Sequence, residues 1–93
     1  MPLDIDVKKE IISEFQLKDS DTGSADVQIA LLTRRIKDLT LHLKQHKHDY
    51  ASTRGLKKLV GQRRRLMKYL AKKDIVRYRE VCTKLNLIKV NRG

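Results

Sequence analysis

Residues 24–44 read SADVQIALLTRRIKDLTLHLK. Within them Ile29, Leu32, Ile36, Leu39 and Leu43 recur at alternating three- and four-residue steps, the spacing that lines one edge of an α-helix. Ser24 stands where an N-cap belongs, and Asp26 in the first turn suits the positive end of the helix dipole. A second long stretch, residues 50–72, reads YASTRGLKKLVGQRRRLMKYLAK. Placed at about 100° per residue, its Leu56, Leu59, Val60, Leu66, Met67 and Leu70 share an arc of about 120°. Between the two stretches, His46-Lys47-His48-Asp49 interrupts the apolar pattern. Helices of about 30 and 34 Å joined by so short a connection pack as an antiparallel hairpin.

Two shorter helices flank this hairpin. Val7, Ile11 and Phe15 recur every four residues behind Asp4, predicting a helix over about 4–15. It is short, and it is followed by the turn-forming run Lys18 to Ser24, so it is expected to be the most mobile element. Asp74 can cap a fourth helix from Ile75 to about Leu85, with Ile75, Tyr78, Val81, Cys82 and Leu85 facing inward and Asn86 as a left-handed C-terminal residue. The fold class is therefore all-α: an elongated four-helix protein, one domain over 1–93, with one end of the hairpin standing beyond the core. A chain of 93 residues buries only about 60–65% of its unfolded surface, which leaves a thin core and no deep enclosed active site.

The chain carries 22 Lys and Arg against 11 Asp and Glu, a net +11. Residues 1–33 hold three basic and seven acidic side chains, whereas residues 54–79 hold eleven and one. An excess focused in one 26-residue stretch reads as a docking face for a polyanion. On the third helix Arg54, Lys57, Lys58, Arg64, Arg65, Lys68 and Lys72 cover an arc of about 120° largely opposite the apolar one, with Tyr69 at its margin. Such a row suits phosphate contacts, and Tyr69 is free to hydrogen-bond or stack. On the second helix Gln28, Arg35 and His42 are spaced by seven, a ladder that drifts only about 20° per step beside the apolar stripe. It runs from the Thr22-Gly23-Ser24 turn to Asp49 and Ser52.

Gly55 and Gly61 lie inside the third helix, where each costs about 1 kcal/mol relative to Ala. Their presence predicts close backbone approach, by another helix or, at Gly61 within the basic arc, by a phosphate or ribose. His42 and His46 have helical metal-ligand spacing but lack a third ligand, so hydrogen bonding by neutral imidazoles of His42, His46 and His48 is the better assignment. Cys82, the one cysteine, reads as a small apolar core group. There is no nucleophile–base arrangement, Gly-rich phosphate loop or carboxylate cluster. No enzyme activity and no cofactor are expected. The N-terminus MPLDIDVKK carries no export signal, and no apolar run is long enough to span a membrane.

Taken in order, Asp21-Thr22-Gly23-Ser24, Val27-Gln28-Ile29-Ala30-Leu31-Leu32-Thr33, His42, His46-Lys47, Asp49, Ser52, Arg54-Gly55-Leu56 and the run Gln62 to Leu70 resemble the small-subunit ribosomal protein fifteen family, bacterial or organellar type, over essentially the whole chain. The resemblance implies a four-helix primary binder of small-subunit ribosomal RNA that acts on a ribosome in the cytoplasm or an organelle. It implies recognition of a three-way junction in the central domain and of a nearby minor-groove site, nucleation of platform assembly, and a part in an RNA bridge to large-subunit ribosomal RNA. Neighbouring platform proteins would be met through RNA, the free protein would be a monomer, and no membrane would be involved. Thr22, Gly23, Gln28, Arg35, Arg64, Tyr69 and Lys72 would serve the junction, and His42, Asp49 and Ser52 the minor groove. Asp49, out of place beside a polyanion, would accept from a guanine amino group or a 2′-hydroxyl. His46, Arg54, Lys57, Arg65 and Lys68 complete the candidate RNA-binding set.

Two rivals fit less well. A helix-turn-helix DNA regulator needs a shorter recognition helix and a dimer surface. A membrane-surface helix needs Trp or Phe on its apolar face, but Trp is absent and aromatics are 4% of the chain.

Overall fold

The computed structural model describes residues 4–17 and 23–85. The described residues form four α-helices: α1 (Ile5–Phe15), α2 (Ala25–Gln45), α3 (Tyr50–Lys73) and α4 (Ile75–Leu85). The expected left-handed residue Asn86, the turn residues 18–22 and the tail 89–93 lie outside the described residues.

Each helix begins at a side chain that satisfies one of its orphan N–H groups. Asp4 Oδ1 accepts from the Asp6 N–H at 3.0 Å, and Ser24 Oγ from the Val27 N–H at 3.3 Å. Asp49 Oδ1 accepts from the Ser52 N–H at 3.0 Å, and Asp74 Oδ1 from the Arg77 N–H at 3.2 Å. Asp74 alone separates α3 from α4; its own N–H closes α3 on the Leu70 carbonyl at 2.8 Å while its carboxylate opens α4.

Helices α2 and α3 pack most closely, side by side along the hairpin. The core sits at the end of the hairpin away from the turn. Ile29 of α2, Met67 and Leu70 of α3, and Tyr78, Val81 and Cys82 of α4 form the main cluster. Phe15 of α1 with Val27 and Ala30 of α2 forms a second. Toward the turn, Leu39 is the last fully buried side chain of α2, and α3 buries none before Met67. The hairpin thus extends beyond the core, as its length demands. The radius of gyration is 13.7 Å, against about 12 Å for a compact chain of this size, and the extents are 40 × 36 × 18 Å.

Three packing details differ from the periodicity. Val60, placed on the inward arc, is 41% exposed, because α3 has left the core behind at that level and only the α2 edge remains to cover it. Ile12 packs beside Ile11 and Phe15 on the second cluster. Val27 and Ala30, off the predicted stripe, are buried because α1 covers a second face of α2.

The N-terminal ends of α2 and α4 are tied by a buried ion pair. Asp26 is 6% exposed, and Arg77 reaches it in a fork, Nη2 donating to Oδ1 and Nε to Oδ2 at 3.3 Å. Asp26 is therefore more than a dipole-compensating residue.

Helix α1 contributes one fully buried side chain, Phe15, and at 11 residues has little intrinsic helical stability. Amide hydrogen exchange in the free protein is expected to be much faster over residues 5–12 than over 29–39 and 63–70, and equal protection of the two regions would show α1 to be part of the same cooperative unit.

Candidate RNA interface

The ladder Gln28–Arg35–His42 runs along one edge of α2, and α3 supplies different partners at its two ends. At the core end, Gln28, Leu31, Leu32 and Arg35 of α2 face Gln62, Arg65, Leu66 and Tyr69 of α3 across an open groove of about 620 Å³. Its floor is leucine and its rim is amide, guanidinium and phenol. Gln28 Nε2 donates to the Gly23 carbonyl at 2.6 Å, which fixes the amide at the mouth beside the α2 N-terminus. Arg35 Nε is buried and has no hydrogen-bond partner among the described residues. A buried donor left without an acceptor costs about 1–3 kcal/mol.

At the turn end, His42 Nε2 lies 2.8 Å from Asp49 Oδ2, which also accepts from the Ser52 hydroxyl at 2.6 Å. Oδ1 caps α3 through the Ser52 N–H. The carboxyl is held well below its ordinary 3.8, first by the Ser52 hydroxyl, then by His42 and the Ser52 N–H. The presence of Asp49 beside so many cations is thus explained by the protein's own fold: the carboxylate is the hub of the turn, and no RNA donor is needed to account for it. The outer faces of His42 and Ser52 remain half-exposed. His46 ends α2, its ring stacked on His42 with centroids 4.6 Å apart.

The remaining candidates lie on neither end. Arg54, Lys57, Arg64, Lys68 and Lys72 are exposed along α3 without lining the groove, whereas Arg65 lines it. Of the residues assigned to the junction by resemblance, Gln28, Arg35 and Tyr69 line the groove, Gly23 meets it through the Gln28 amide, and Arg64 and Lys72 do not line it. Thr22 lies outside the described residues. Arg63 breaks the basic run by turning inward. Its Nη1 donates to Thr33 Oγ1 at 3.3 Å, and burial pushes its pKa down from the ordinary value. Gln62 was not among the candidates; its position four residues before Leu66 and seven before Tyr69 was the available signal.

The glycines do not both serve helix packing. A Cβ at Gly55 would meet Leu39 Cδ2 at 3.9 Å, an ordinary contact, and a Cβ at Gly61 would meet nothing within 4 Å. Close approach of another helix is excluded as the reason for Gly61.

The family described as Ribosomal protein S15 matches residues 8–88. The chain belongs to this family. It is 62% identical over 87 residues to the small ribosomal subunit protein uS15 of Streptomyces griseus, covering 94% of this chain and 91% of that protein. It is 63% identical to the protein of the same name from Streptomyces coelicolor, covering 94% and 92%. The Kineococcus radiotolerans protein of that name is 59% identical, covering 94% and 98%. Among the described residues of this S15 family member, no helix is long and apolar enough to cross a membrane.

Two outcomes follow from this geometry. A carboxylate whose native pKa is lowered adds stability that is complete above its unfolded value near 4 and is lost as pH falls toward the native one. Acidification below about pH 4 should therefore progressively lower the protein's stability, and Asp49→Ala should flatten that part of the stability–pH curve while lowering the melting temperature at pH 7. Thermal melts from pH 2 to 7 check both. Gly61→Ala should stabilise the free protein by up to about 1 kcal/mol, since a methyl there meets open space and removes glycine's helix penalty. Denaturant titration measures this, and unchanged or reduced stability would mean that Gly61 is needed by the fold itself.

Proposed function

We propose that this chain, a structural constituent of the small ribosomal subunit by its family, is a primary binder of small-subunit ribosomal RNA with two reading sites held apart on one rigid hairpin. The observation that carries the reading is the ladder: its core end opens into the groove with an unpartnered Arg35 Nε, and its turn end is the His42–Asp49–Ser52 hub. The two ends stand about 21 Å apart along α2. A groove of mixed polar and apolar walls suits the irregular backbone and unstacked bases of a three-way junction. The shallow hub, with imidazole and hydroxyl groups, suits the wide minor groove of A-form RNA, where 2′-hydroxyls and base edges are exposed.

Between and beside these sites the exposed cations of α3 supply attraction without sequence choice. Gly61 lies among them, and the open space over it would admit a phosphate or ribose to the helix backbone. The resemblance supports the remaining parts of the reading: a junction in the central domain, nucleation of the platform, an RNA bridge to the large subunit, and contact with neighbouring proteins through RNA. The protein acts as a scaffold and not as an enzyme, with no cofactor, and it is a monomer when free.

Chemical footprinting of the purified protein on small-subunit ribosomal RNA tests the proposal. Protection of both a central-domain junction and one adjoining helix is expected; protection scattered over duplex regions would reduce the protein to a nonspecific cation. The contacts should also separate by mechanism. With about five to seven cations on phosphate, the log–log salt slope of binding should be about −4 to −6. Arg64→Ala should make it shallower. His42→Ala should leave the slope unchanged and erode discrimination against a base-pair variant of the adjoining helix by about 1–3 kcal/mol. Filter-binding titrations across a salt series distinguish the two behaviours.

A further inference from the structure

Tyr69 sits on the groove rim, half of it exposed, and its hydroxyl is not free to take any role. Lys73, one turn further along α3, places its Nζ 3.1 Å from the Tyr69 oxygen and 5.4 Å from the ring centroid. An ammonium so much nearer the oxygen than the ring centre lies beyond the hydroxyl end and not above the ring face, so the contact is a hydrogen bond more than a cation–π stack. An ammonium has donors only, so Lys73 must donate and Tyr69 must accept. The phenol's own proton is then left pointing elsewhere.

We propose that Lys73 is a positioning residue that sets the polarity of the groove: by occupying the acceptor side of the Tyr69 hydroxyl it commits Tyr69 to donate, so that the RNA atom read at this rim is a hydrogen-bond acceptor. The inference rests on the RNA-binding reading above and refines what that site selects. Two further features support it. At about 100° per residue Lys73 falls about 60° outside the arc shared by Arg54, Lys57, Lys58, Arg64, Arg65, Lys68 and Lys72, so it is displaced from the row that suits phosphate. It also stands in the last turn of α3, where the helix dipole favours a cation and helps keep the ammonium in place. The opposite rim is fixed in the same manner: Gln28 spends one N–H on the Gly23 carbonyl, which orients its amide before any ligand arrives.

The test is a double-mutant cycle on a three-way-junction RNA taken from the central domain of small-subunit ribosomal RNA, with Lys73→Met, Tyr69→Phe and the double variant measured across a salt series. Both side chains are exposed at the helix surface, so the variants should fold, and circular dichroism verifies it. Lys73→Met is expected to weaken binding about three- to tenfold, the scale of one hydrogen bond's net worth, with the salt slope unchanged. The same change in the Tyr69→Phe background should have no effect, and Lys73→Arg, which keeps the donor, should restore binding. Additive losses, together with a slope shallower by about 0.7–0.9, would overturn the proposal and make Lys73 a direct phosphate contact. No loss from Lys73→Met would overturn it equally. If the unmodified protein failed to prefer the junction over a plain duplex, the RNA-binding reading itself would fall.

Discussion

The register of α2 against α3 is the constraint on which the other features depend. The seam is thin: Ile29 of α2 packs with Met67 and Leu70 of α3, Leu32 lies across from Leu66, Leu39 lies over Gly55 nearer the turn, and much of the rest of the hairpin is half-exposed. A seam this narrow leaves the rows beside it uncovered. The ladder of α2 and the Gln62–Arg65–Tyr69 row of α3 occupy those rows, so whatever fixes the seam also sets the groove. The turn contributes to the fixing. Asp49 holds the α3 N-terminus through Ser52 and the last part of α2 through His42, joining the two helices at a point where apolar burial has run out. At the other end the Asp26–Arg77 fork ties α4 to α2, and Asp74 turns α3 into α4 without a loop. The hairpin is thus secured at its ends by polar groups and in between by a single line of side chains.

Charge is arranged to suit that economy. A row of exposed cations destabilises a small protein through self-repulsion. Here it stays on α3, away from the buried Asp26–Arg77 pair, and Arg63, the one cation of the run that turns inward, finds a hydroxyl acceptor on Thr33. Asp49 sits beside these cations with its carboxylate already engaged by three donors within the turn. Under the proposed reading, affinity from exposed cations and selectivity from fixed hydrogen-bonding groups reside on one helix pair without competing for the same side chains.

Much of this architecture was legible in the residues. Asp4, Ser24 and Asp74 mark helix starts because a short acceptor side chain before an apolar period has few other reasons to be there. The stripe in α2 and the arc in α3 follow from the helical repeat alone. What escaped depends on tertiary partners. Val27 and Ala30 look like filler until α1 is known to lie across them. Val60 keeps the helical phase of a core residue but sits where no third helix covers the hairpin. Asp26 reads locally as a first-turn acid, and nothing near it announces Arg77, 51 residues away. At the candidate site, the ladder could be found from its seven-residue spacing. Gln62 could not be told from any other exposed polar residue until the groove placed it opposite Gln28 and Arg35. The place of Asp49 was legible, but its reason was not: the sequence shows an acid among cations, and only the geometry shows how fully that acid is occupied.

Arg35 brings the thermodynamics of the site into one place. Its Nε is sheltered on the groove wall without an acceptor, a cost the free protein carries in every molecule. A residue of similar volume without polar atoms would remove that cost and make the free protein more stable. Under the proposed reading it would also remove the gain of pairing this donor with an RNA oxygen. The penalty and the gain are two sides of one interaction, so selection for free-state stability and selection for tight, oriented binding pull on this residue in opposite directions. A protein with a large core could hide such a penalty. With a single thin seam, this one can carry it only where few such donors are left unpaired, and the Gln28 amide, the Tyr69 hydroxyl and the Asp49 carboxylate are each already tied to a neighbour within the chain.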